Sequence, residues 1–244
     1  MKPMALIASA LLAGAASVRA DDGGPPVVPY RPSVSTPAQL SAPGWLELEA
    51  GGLRVTGPRD TLPWTLKLAF TPDWGVRVGG DAWVRQPGSD GVGDTSVVLK
   101  RHWAVSDATA WGLELGEKLP TAGSTRGSGH ADTTVNAIFS SDFAPGWHTD
   151  MNLNETRLGG TPAAWQAGWA AAFSRAVDDA WGVTGELSGT HQAGTPNTSQ
   201  LLAAASFNAS PAAVFDVGAA RGLNDATPRW QVFAGVTLRL ARVF

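Results

Sequence analysis

Between Gly44 and Phe244, apolar residues recur at every second position, and that period of two limits what the chain can fold into. In a strand, alternate side chains point to opposite faces. The last run shows the rule. Trp230, Val232, Ala234, Val236, Leu238 and Leu240 share one face, and Gln231, Gly235, Thr237 and Arg239 share the other. Arg242 and Phe244 then fall on the apolar side. Trp64, Leu66, Leu68 and Phe70 oppose Thr65 and Lys67; Trp111, Leu113 and Leu115 oppose Glu114 and Lys118. The spacing predicts about twelve strands of roughly 10–14 residues, a length that suits tilted membrane strands. A helix would need a period near 3.6. Residues 163–177, rich in Ala, fit both periods through Trp165, Trp169 and Phe173 and are assigned to a strand by the rhythm of their neighbours.

The connections alternate between tight and longer. Residues 71–73, 106–107, 143–146, 178–179 and 210–211 are tight turns; residues 57–62, 86–91, 120–130, 159–162, 192–198 and 224–228 are longer. Short periplasmic turns and longer outer loops are the rule of outer-membrane barrels. No stretch after the leader offers the 18 apolar residues of a spanning helix. Lipid tolerates sheet only when it closes on itself, because open edges leave backbone groups without partners. The expected fold is therefore all-β, a transmembrane antiparallel up-and-down barrel of about twelve strands. Composition agrees: charged residues are only 16%, and the 11 Trp, placed repeatedly at strand ends, would form interfacial girdles. A soluble sandwich explains neither the alternation of connections nor the aromatic last residue.

Residues 1–20 read as a secretory signal peptide: Lys2, an apolar run from Met4 to Val18, then Val18-Arg19-Ala20. Residues 21–43, Pro/Gly-rich and without periodicity, read as a disordered lead segment, and residues 44–244 as the barrel. With no Cys, disulfides and thiol chemistry are excluded. A net charge of −3 gives no case for nucleic acid. The address implied is the outer membrane of a Gram-negative bacterium.

Three stretches resemble a known family: Gly91-Val92-Gly93-Asp94, Gly185-Glu186-Leu187-Ser188-Gly189, and the close from Asp216 through Thr227-Pro228 to Thr237. They are similar to the outer-membrane family named for the meta-pathway of phenol degradation, over about residues 44–244. That resemblance implies a transporter barrel for small organic molecules, aromatic or hydrophobic ones among them.

Inward-facing ionisable residues are the candidate solute contacts: Lys67, Arg77, Asp81, Asp94, Lys100, Glu114, Asp150, Glu186, Asp216 and Arg239. Glu47, Glu49 and Arg85 fall on the same face. Polar residues inside a barrel either line water or pair across the lumen. The expected function is a monomeric channel for small organic solutes, in contact with outer-membrane lipid and recognised by the barrel-insertion machinery through Phe244. The alternative is a structural or binding barrel with a plugged lumen. A lipid hydrolase would need a Ser with a His within reach. Ser140-Ser141 is the one suggestive pair, and no His shares its strand. No enzyme activity, cofactor or metal is expected; no two His have metal-ligand spacing.

Overall fold

A computed structural model describes residues 23–57, 59–160 and 162–244. The signal peptide expected at residues 1–20 lies outside them. The described residues form thirteen strands: β1 (Trp45–Val55), β2 (Arg59–Ala69), β3 (Trp74–Gln86), β4 (Ser89–Gly91), β5 (Thr95–Ser106), β6 (Thr109–Leu119), β7 (Asp132–Ala144), β8 (Trp147–Leu158), β9 (Ala164–Ala176), β10 (Trp181–Gln192), β11 (Thr198–Ser210), β12 (Ala213–Gly222) and β13 (Trp230–Arg242). All pairings are antiparallel between neighbours, and β13 pairs with β1, which closes the ring. Twelve strands make the wall. The three-residue β4 is an extra hairpin arm on β3, inside the connection to β5.

The alternation expected from the sequence is the wall itself. Leu113, Leu153, Leu201, Val217 and Val232 are exposed on the outer face. Glu47, Lys67, Lys100, Glu114 and Glu186 are buried on the inner one. Aromatic residues pair across strands on the outside: Trp111 with Phe139 at 5.0 Å and Trp181 with Phe207 at 4.9 Å between ring centroids. Such pairs add about 0.5–1.5 kcal/mol each beyond burial. Residues 164–176 are strand, as the rhythm of the neighbours required.

Three register shifts lie beside tight turns, and two others change the face of residues assigned from the sequence. Between Leu62/Trp83 and Pro63/Asp81 the register shifts, leaving Ala82 as an extra residue. Val84 is thereby turned inward and fully buried, and Arg85 turns outward, opposite Asp60. Uninterrupted alternation put Arg85 inside; the bulge corrects that. A second shift leaves Leu240 unpaired, so Ala241 faces Leu46 and Arg242 faces Trp45. Trp45 is on the Glu47 side of β1, and directly paired residues share a face. Arg242 is thus on the lumen side at the rim, and its Nε donates to the Phe244 carbonyl at 2.9 Å. Phe244 closes against Gly44, where a φ of 80° and a Cβ only 2.5 Å from the Phe244 oxygen both call for glycine.

Candidate functional site in the lumen

Residues 23–43, expected to be disordered, are ordered, and they lie inside the barrel. Backbone or side-chain groups of residues 25–38 bond inward-facing side chains on β1, β2, β5, β7, β8, β10, β12 and β13. One short segment can reach that many strands around a ring only from its centre. It enters beside the β11–β12 turn, where Val27 N donates to Pro211 O at 2.9 Å. It rises to Arg31–Val34, then descends past Ala38 and Leu40 to Gly44 at the start of β1. This is the end that carries the tight turns, so the outer half of the lumen stays open above it. The physical reason for order is complementarity. A Pro-rich strand cannot pair in a ladder and leaves its N–H groups free, and the wall supplies carboxylates and amides as acceptors.

Glu186 accepts three bonds, from Val34 N at 3.0 Å, Ser35 N at 2.8 Å and Ser35 Oγ at 2.8 Å. Asn152 makes a reciprocal pair with Thr36: Thr36 N donates to Oδ1 at 2.7 Å, and Nδ2 donates to Thr36 O at 3.0 Å. Ala38 N donates to Ser140 Oγ at 2.7 Å, and Ala38 packs on Ala110 and Ile138. Tyr30 N donates to Glu49 at 2.6 Å. The Tyr30 ring lies between the ammonium groups of Lys67 and Lys100, at 4.3 and 4.2 Å from its centroid. Both geometries are within reach of a cation–π contact.

Arg31 is the one charged residue of residues 23–43. Its Nε and Nη2 donate to the two Asp216 oxygens at 2.9 Å each. Its guanidinium lies over Gly235 and Gly51, which pair directly across β13 and β1. A Cβ on Gly235 would stand 2.5 Å from Arg31 Nε, and one on Gly51 2.9 Å from its Cζ. The space the two glycines leave on the inner face is filled by Arg31.

The ten residues singled out from the sequence divide by height. Lys67, Lys100, Glu114, Glu186, Asp216 and Arg239 hold the segment directly; Arg239 and Lys67 donate to the carbonyls of Pro25 and Val28. Arg77 pairs with Glu114 at 2.9 Å. Asp150 accepts from Ser140 at 2.5 Å and so acts through Ser140 on Ala38. Asp81 and Asp94 are in the open outer half. Asp94 precedes β5 and accepts from Ala122 N at 2.9 Å and Ser128 N at 3.0 Å, pinning the loop of residues 120–131. The Gly-x-Gly-Asp stretch is therefore a loop anchor. Sequence reasoning missed Arg31, Tyr30 and Asn152. The available clue was an inner face with more charge than a narrow lumen can leave unpaired.

Ser140 does meet a histidine, but in the wrong order. His148 Nε2 contacts Asp150 at 3.1 Å, and Asp150 lies between it and Ser140. Ser140 is fully buried beneath Ala38. The group that reaches its hydroxyl is the Asp150 carboxylate and not the imidazole, so this cluster lacks the Ser–His contact expected of an activated serine.

The profile of the family described as the MetA-pathway of phenol degradation matches residues 31–240. The chain belongs to this family. The match opens at Arg31, within the lumen segment. No curated protein matches the chain by sequence. Among solved structures, the chain is similar to an outer membrane channel from Pseudomonas putida F1, with 11% identity, TM-score 0.66, and 83% of this chain and 98% of that one covered. It is also similar to the NanC porin (7%, TM-score 0.61, 80% and 100%) and to the KdgM porin (9%, TM-score 0.59, 80% and 99%). At these identities the likeness is one of fold: this family member has the architecture of outer-membrane channels.

Proposed function

We propose that the protein is an outer-membrane channel for small organic solutes, held closed at its periplasmic end by its own residues 25–41. It works as a monomer in contact with lipid, and Phe244 at the rim is read by the insertion machinery. The observation that carries the reading is the division of the lumen. The outer half keeps a cavity of about 690 Å³, reached from the loop side and bordered by β2, β3, β5 and β6. The periplasmic half is filled by a segment that shares no ladder with the wall and is held by side-chain anchors together with the Val27 N–Pro211 O bond at its entry. Side-chain anchors can release together without breaking the sheet. Family membership and the channel-like fold support the same reading.

Planar-bilayer conductance tests it. A chain lacking residues 25–41 should conduct well above the full chain under the same salt. Equal conductance in the two would remove the segment from the path. The plugged-barrel alternative is favoured by the same anchors; passage of a solute by the full chain in liposome swelling would remove it.

A further inference from the structure

Above the segment, the outer cavity carries a guanidinium that the fold has positioned and not neutralised. Arg126, in the loop of residues 120–131, donates from Nε to Val92 O at 3.3 Å and from Nη1 to Ser89 Oγ at 3.2 Å, both neutral acceptors. It rests on the β4 arm. Gly91 has a φ of 150°, and a Cβ there would stand 2.9 Å from Arg126 Nε. Close approach of guanidinium and backbone is thus built into the Gly91-Val92-Gly93-Asp94 stretch.

The carboxylates nearby are engaged elsewhere. Asp94 takes the two loop N–H groups of Ala122 and Ser128. Asp132 pairs with Lys118, which also donates to Ser128 Oγ at 2.6 Å. Asp81 has Arg59, at 3.8 Å. Among the described residues no carboxylate lies within ion-pair distance of Arg126. Arg126, Lys118 and Arg59 border one cavity of about 690 Å³, with Pro63, opposite Asp81, on the wall side. That volume is of the size that takes a small organic ligand. A planar guanidinium with an unused edge matches a carboxylate in geometry as well as charge. The low-dielectric walls of a cleft focus its field on incoming anions.

We propose that this outer cavity is a binding site for small organic carboxylates, with Arg126 taking the carboxylate and the inward-facing Pro63 ring packing against the organic group. The proposal rests on the channel reading for its purpose: it names the solute that the closed lumen receives first. Its test does not rest on that reading, because binding is measured without passage.

Isothermal titration of the detergent-solubilised full chain uses benzoate, its neutral analogue benzyl alcohol, and chloride. Benzoate should bind more tightly than benzyl alcohol, with chloride a weak competitor. Arg126→Gln should weaken benzoate about tenfold or more, as the loss of a charge-assisted bond implies, and leave benzyl alcohol unchanged. Arg126→Lys should recover part of the loss. Heat-modifiable gel migration confirms that each variant keeps its barrel. Failure of benzoate to bind the full chain overturns the proposal, as does equal binding to Arg126→Gln or equal affinity for benzyl alcohol. If benzoate binds as expected and the channel never conducts, the site stands and the transport reading falls.

Discussion

Arg31 is positioned by what its neighbours lack. Two glycines facing one another across β1 and β13 leave a slot, and Asp216, paired with Gly235 on β12, closes it. Removing one partner of a buried pair costs about 3–5 kcal/mol, because the other charge is left uncompensated. Asp216→Ala should therefore loosen the segment far more than Asp216→Asn, which keeps a hydrogen-bond acceptor. The protein has no Cys, so a single Ser35→Cys reports on this directly. Ser35 is fully buried, and maleimide labelling of that thiol should be slow until Asp216→Ala is added, then faster by at least tenfold. Gly235→Val should have the same effect by steric displacement of Arg31; unchanged labelling in both would refute the anchor. None of this was legible beforehand. Gly235 and Asp216 sit on the inner face by simple parity, but parity does not say what fills the space in front of them.

At the scale of the element, the last strand shows where alternation reads true and where it fails. From Trp230 to Leu238 the period of two predicts each face. It fails at Leu240, because a β-bulge is a backbone event that adds one residue without changing composition. The cue was electrostatic: a charge on a lipid face must snorkel or turn away. The structure takes the second course. Deleting Leu240 should remove the bulge while keeping Ala241 opposite Leu46 and Arg242 opposite Trp45, so the temperature at which the folded band is lost on a heat-modifiability gel should not fall. A marked fall would show that Leu240 does more than set the face of Arg242. The bulge at Ala82 was equally hidden, and there the misplaced residues were Val84 and Arg85. Strand number, turn alternation and lipid face needed only local pattern, which is why they were visible.

For the whole molecule, wall and segment balance one another's charge. Around the segment, among the described residues, six wall carboxylates (Glu47, Glu49, Glu114, Asp150, Glu186, Asp216) face four wall cations, Lys67, Arg77, Lys100 and Arg239. The segment contributes one cation, Arg31, and a row of N–H donors that end on the remaining acids. Composition hinted at this only as comparable numbers of both signs on an inner face; the partner itself looked like linker, because Pro-rich stretches without periodicity usually are. Some pairs are internal to the wall and do not need the segment: Lys67 with Glu47 and Glu49, and Arg77 with Glu114. Glu186 and Asp216 are different, since the ionic and backbone partners they use come from residues 31–35. Deleting residues 25–41 should therefore open a lumen lined by two unneutralised carboxylates. Under a KCl gradient its reversal potential should shift toward that of potassium relative to the full chain. Adding Glu186→Gln and Asp216→Asn to the deletion should bring the potential back toward zero. A deletion channel that is anion-selective, or one whose selectivity ignores those two substitutions, would mean that other charges govern the opened lumen.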